Sequence, residues 1–166
     1  MSLSTPRVAA HPPAQQFLQR GEFLKTLWDT LRDEAGGGRH ALVHLKQGGA
    51  QHLYFAGDGM RDSSIPALAS LACDRNVVAA WLGCGQFAFL LRNCCAEEAR
   101  SWVCSLRHAL PATTPAITVE DSNRESSIDI VLFEPRSQSL PAVLAAAGMT
   151  RPWMDHGPGI REIAFG

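Results

Sequence analysis

The stretch Val77-Val78-Ala79-Ala80-Trp81-Leu82-Gly83-Cys84-Gly85-Gln86-Phe87-Ala88-Phe89-Leu90-Leu91-Arg92 holds two apolar runs of strand length around a Gly-x-Gly corner. That is the sequence form of a β-hairpin. Glycine at Gly83 and Gly85 lets the turn visit positive φ without a Cβ penalty. Both runs are apolar at nearly every position, so both faces are expected to be covered and the hairpin to lie mid-sheet.

Upstream, residues 1–13 carry Pro6, Pro12 and Pro13 and read as a flexible lead-in. From Ala14 to Asp33 the spacing is helical, with Phe23, Leu24, Leu27, Trp28 and Leu31 on one buried stripe. Gly21 reads as a break within it, and Gly36-Gly37-Gly38 as its end. Ala41–Lys46 then reads as a strand, Gln51–Phe55 as a return strand, and Ile65–Ala72 as a short helix carrying Pro66 in its first turn. His40 and His44, four apart, fall on one strand face and are expected to be a partly exposed polar pair.

Downstream, Glu97 and Glu98 suit the first turn of a helix whose stripe is Trp102, Val103, Leu106 and Leu110, stopped by Pro111. Ala116–Val119 is a short strand candidate. Ile128–Phe133 alternates, with Ile128, Ile130 and Leu132 on one side. Ser139 is placed to cap a helix over Pro141–Met149. Residues 150–166, with Pro152, Pro158 and glycines, read as an irregular tail or linker. This order predicts an α/β (α+β) fold, a central mixed sheet with an antiparallel hairpin and helices on both faces.

Composition bounds the function. The chain has 166 residues, 46% hydrophobic and 19% charged, enough for one domain over 14–149 with a sizeable core. A net charge of −1 provides no field for nucleic acid. No apolar run reaches the length of a membrane span and no signal-peptide pattern is seen, so neither membrane insertion nor export is expected. Five cysteines, an odd number without a CxxC pair, suit a reducing, cytoplasmic setting and no zinc site. Cys84 has no evident base or cation to activate it, so thiol catalysis is not expected. Trp28 and Trp102 are read as core. Trp81 is read as core packing, with partner contact as the alternative, and Trp153 as a partner-contact candidate.

With these elements in place, the sequence resembles the GGDEF domain of diguanylate cyclases over roughly Ala14 to Met149. The family's five-residue signature, at a hairpin tip between two apolar strands, corresponds to Gly83-Cys84-Gly85-Gln86-Phe87. The opening helix, first core strand, post-signature helix and following strand correspond to Leu18–Leu31, Ala41–Leu45, Glu97–Leu110 and Ile128–Phe133. The resemblance implies a nucleotidyl-cyclase-like fold. Active members condense two GTP molecules into cyclic di-GMP using metal ions held by acidic residues. The acidic third and fourth signature positions are Gly85 and Gln86 here. The metal-binding aspartate of the first core strand corresponds to His44, with Lys46 two residues on, and neither suits magnesium. Cys84 stands where glycine lets backbone approach the nucleotide. Asp58 or Asp62 falls near the aspartate that contacts guanine. The inhibitory Arg-x-x-Asp is absent from the corresponding Asp74–Val77 window and from the whole chain.

The resemblance therefore implies a domain with no cyclase activity, no catalytic residues, no metal and no cofactor. It would act in bacterial cyclic di-GMP signalling, with a link to exopolysaccharide or biofilm control. Its expected role is regulation through a protein partner, a neighbouring signalling domain or a homodimer. The alternative is a sensor of GTP or cyclic di-GMP that does not turn nucleotide over.

Overall fold

The computed structural model describes residues 17–33, 37–47, 65–83, 85–110, 126–150 and 159–165. The elements are α1 (Arg20–Arg32), β1 (His40–Lys46), α2 (Ile65–Leu71), β2 (Val77–Gly83) and β3 (Gln86–Leu91), then α3 (Ala96–Ala109), β4 (Ser127–Phe133), α4 (Leu140–Ala146) and β5 (Gly159–Ala164). They build a five-stranded sheet in the order β2-β3-β1-β4-β5. β5 runs parallel to β4 and the other neighbours are antiparallel, so the sheet is mixed.

Alternation along the strands sorts side chains to the two faces. Ala41, Val43, Leu45, Phe87, Phe89, Leu91, Ile128, Ile130 and Leu132 meet Leu68 of α2 and Ala99, Val103 and Leu106 of α3. The opposite register, Leu42, Ala88, Leu90, Val131 and Phe133, meets Phe23, Leu27 and Leu31 of α1 and Val143 of α4. β1 sits between these two cores and is buried from His40 to Leu45. Trp102 is half-buried, its ring 5.0 Å from that of Phe89. Ser139 caps α4, its hydroxyl accepting from the Ala142 N–H at 3.3 Å.

Several expectations are corrected. The hairpin is not mid-sheet: β3 is internal, but β2 ends the strand order. Continuous apolarity reports covered faces and says nothing about paired edges. The outer edge of β2 is met instead by Leu18, whose N–H donates to Ala79 O at 2.9 Å and whose carbonyl accepts from Trp81 N–H at 3.2 Å. Gly21 does not break the first helix. It sits in the first turn of α1, where Glu22 Oε2 accepts from the Gln19 N–H at 3.2 Å and supports the helix start. Trp28 is not core: it is 42% exposed, on the side of α1 turned from the sheet, with the Arg32 guanidinium 5.4 Å from its ring centre. His40 and His44 are buried rather than partly exposed. α4 stops at Ala146, before the positive φ of Gly148 (66°). The tail is not irregular throughout, because Gly159–Ala164 is the fifth strand. The suggested strands at Gln51–Phe55 and Ala116–Val119 lie outside the described residues.

A Cβ added at Gly21 meets nothing within 4 Å. Gly21→Ala is expected to raise unfolding free energy by about 0.4–1 kcal/mol through loss of unfolded-chain entropy. Phe89→Ala, which empties a fully buried site between β3 and α3, is expected to lower it by about 3–5 kcal/mol. Denaturant unfolding at fixed m-value measures both.

Candidate functional site

The hairpin corner turns on left-handed backbone at Gly83 (φ 91°) and Gly85 (φ 67°), so both glycines are required by conformation. Strand pairing shifts between Trp81 and Gly83, which lets Trp81 lie opposite Phe87 while Gly83 meets Gln86. The Gly85 carbonyl accepts from the Gln47 N–H at 3.0 Å, pinning the corner to the end of β1. Phe87 is buried, its ring 5.5 Å from Phe17. Trp81 is half-buried against the same core. Gly83, Gly85, Gln86, Phe87 and Trp81 thus come together. Cys84, Asp58, Asp62 and Trp153 lie outside the described residues.

Gln86 reaches the centre of the sheet. Its side-chain Oε1 lies 3.2 Å from His44 Nε2, and His44 Nδ1 lies 2.8 Å from the Ala147 carbonyl at the end of α4. Both partners are oxygens and only accept, so Nδ1–H donates to Ala147 and Nε2 faces the Gln86 oxygen, an arrangement that satisfies both ring nitrogens when each carries a proton. Burial holds His44 below the usual histidine pKa of 6.5, and the Lys46 ammonium adds to this. The Ala147 and Gln86 hydrogen bonds and the Asp129 carboxylate oppose it.

His44 is directly opposite Asp129 on β4, and Asp129 opposite Arg161 on β5. The buried Asp129 carboxylate accepts from Arg161 Nε at 2.7 Å, and Arg161 Nη2 donates to the Ala146 carbonyl at 2.8 Å. Two successive carbonyls at the end of α4 are therefore each taken by a side chain from the sheet. On the other face, Glu162 accepts both Nε and Nη2 of Arg100 at 2.7 and 2.8 Å. Of this row the sequence singles out His44 alone; Asp129 and Arg161 are not among its candidate residues. The available signal is a polar residue (His44, Asp129) interrupting an otherwise apolar strand.

At the opposite end of β1, a cleft of about 570 Å³ is lined by Asp29, Thr30, Arg32, Asp33, His40, Arg92 and Asn93. His40 Nδ1 accepts from the Asn93 N–H at 3.1 Å, and Asn93 holds a left-handed φ of 50°. Burial, then Arg92, pulls His40 below the ordinary histidine pKa against the opposing Asp33. Burial pushes the Cys94 thiol up to about 11, which keeps it protonated and unreactive. Among the described residues no three His, Cys, Asp or Glu side chains gather as a metal-binding group, and no helix is long and apolar enough to cross a membrane.

Both buried histidines are held below their ordinary pKa in the fold, so the unfolded chain binds more protons below about pH 6.5. Stability is expected to be full above that pH, to fall as pH drops through the window down to the lowered folded values, and to level off below them. His44→Gln keeps a polar group and removes one titration. Its unfolding free energy is expected to fall less steeply below about pH 6.5 than the wild type's. Urea titrations across the window measure the difference in slope.

No protein-family model matches the chain, and no curated protein matches it. Solved structures do. The GGDEF domain of FimX from Pseudomonas aeruginosa superposes with a TM-score of 0.65 at 16% identity, over 93% of this chain and 99% of that one. The GGDEF domain of DgcB from Caulobacter crescentus, in complex with c-di-GMP, superposes at 0.67 and 15%, over 98% and 97%. The diguanylate cyclase SiaD, in complex with its activator SiaC, from Pseudomonas aeruginosa superposes at 0.57 and 13%, over 90% and 59%. With its five-stranded mixed sheet, flanking helices and glycine-cornered hairpin, the chain has the fold of GGDEF domains.

Proposed function

We propose that this chain is a GGDEF-fold domain without cyclase chemistry, working as a regulatory or protein-interaction module in bacterial cyclic di-GMP signalling. The observation that carries the reading is the contact between His44 and Gln86. The resemblance places a metal-binding aspartate at the first position and an acidic residue at the second. Here neither side chain is a carboxylate, and they spend their hydrogen-bonding capacity on each other and on Ala147. Phosphoryl transfer draws its largest stabilisation from charge aimed at the reacting phosphate, and this pair supplies none. Gly85, at the other acidic position, has no side chain. Lys46, beside them, brings positive charge where a cation would sit.

Fold alone does not name a function, since unrelated activities share a scaffold. Two proteins of the same fold lend the reading support: SiaD is held in complex with a protein activator, and DgcB in complex with c-di-GMP. For this chain a protein or adjoining-domain partner, or a second copy, is the favoured occupant. The Arg-x-x-Asp that the resemblance ties to product binding is missing.

Calorimetric titration with GTP and with cyclic di-GMP, each with and without magnesium, tests this, together with chromatography of GTP incubated with protein and magnesium. The expected result is no heat of binding in any arm and no cyclic di-GMP above the protein-free blank. Magnesium-dependent GTP binding with product formation overturns the reading. Metal-independent binding of either nucleotide replaces the interaction module with a sensor.

A further inference from the structure

Among the described residues β5 is a six-residue edge strand, with most positions exposed, secured by an arginine–carboxylate pair on each face. The two pairs differ in kind. Arg100 is more than half exposed, so its link to Glu162 sits in high dielectric. Asp129 is buried, its side chain 7% exposed, and Arg161 is its paired cation. If β5 leaves, Asp129 stays behind in the core of β4 facing His44, its direct cross-strand neighbour on the same face. Opposite residues in antiparallel strands stand about 4.5–5.5 Å apart at Cβ, within reach of an ion pair. A buried lone carboxylate is costly, and the least costly remedy is a new counter-charge.

His44 is built to become that counter-charge. Nδ1–H already donates to Ala147 O, and the Gln86 oxygen already faces Nε2, placed to accept from a proton added there. An imidazolium in this position therefore keeps both hydrogen bonds, and only burial and Lys46 oppose it. The charged and titratable groups brought to it are Lys46 on its own strand, Asp129 on β4 and, through Asp129, Arg161 on β5. β3 contributes the Gln86 amide, and the end of α4 contributes the Ala147 carbonyl.

We propose that the seating of β5 is proton-linked: when Arg161 leaves Asp129, His44 takes one proton from solvent onto Nε2 and becomes the counter-ion of the Asp129 carboxylate. Acid then favours the open edge and base the closed one. This inference stands independently of the functional reading above.

The direct test follows the His44 imidazole by NMR from about pH 8 to about pH 5, the range over which histidine changes charge. Its signals are identified by their loss in His44→Gln. Arg161→Met mimics the released strand. His44 is expected to titrate about one to three pH units higher in that variant than in the wild type. In Asp129→Asn/Arg161→Met the rise is expected to vanish. A His44 titration unmoved by Arg161→Met, or a proton taken up by Asp129 itself in that variant, overturns the proposal.

A second measurement needs no disruptive substitution. The Phe165 N–H donates to Leu132 O at 3.1 Å and the Gly159 N–H to Ser126 O at 3.4 Å, so amide exchange at both reports opening of β5. After correction for intrinsic exchange, the wild-type opening equilibrium is expected to rise with acid, by up to about tenfold per pH unit for one proton. In His44→Gln it is expected to be flat. Equal slopes in the two proteins overturn the linkage.

Discussion

Strand β1 is paired on both edges and covered on both faces, and the rest of the molecule is arranged around meeting that condition. A strand so enclosed has no solvent to satisfy its polar atoms, so each buried polar side chain on it needs a partner from elsewhere in the chain. His44 draws that partner from two distant elements, β3 and the end of α4. His40 draws one from Asn93 just past β3 for Nδ1, while its buried Nε2 has none among the described residues. In this way the central strand fixes where the hairpin, α4 and the turn after β3 come to rest. The apolar packing sets how strongly the layers adhere, and the histidines on β1 set their register.

Most of the architecture was legible because it follows from period. Two-residue alternation in Ile128–Phe133 assigned its side chains to the two faces that the cores occupy. The glycine corner of the hairpin, the stripe of α3 and the Ser139 cap are local signals with local causes. Edge pairing was not legible. Whether a strand lies mid-sheet depends on which segment arrives beside it, and for β2 that segment is Leu18, some sixty residues away in sequence. Trp28 misled for a related reason: helical spacing puts it next to the buried stripe, and only the width of the contact with the sheet decides which flank is covered.

β5 shows the same limit on the side of the candidate site. Arg161 and Glu162 in mid-strand, preceded by proline and glycine, look like a solvated tail. Each is matched by a carboxylate or guanidinium far away in sequence, Asp129 and Arg100, and the matches are visible only after folding. The hairpin half of the site was legible from Gly83, Gln86 and Phe87. The His44, Asp129 and Arg161 row was not, because each residue alone is an ordinary polar interruption. A charge inside an apolar strand is nonetheless informative: it states that a partner exists, without naming it.

That row also bears on why the hairpin position carries an amide. A carboxylate at Gln86 facing neutral His44 would draw a proton onto the ring and place an ion pair beside Lys46 and Asp129, two further charges in a largely dry space. An amide avoids that outcome because it can donate or accept in the same place, and so remains paired with His44 in either protonation state. A residue chosen to hold a metal needs fixed negative charge and open coordination. Gln86 has neither, and has instead the one property suited to following a histidine. Through Gln86, His44 and the Gly85 carbonyl, the hairpin is tied by hydrogen bonds to the central strand and to the end of α4.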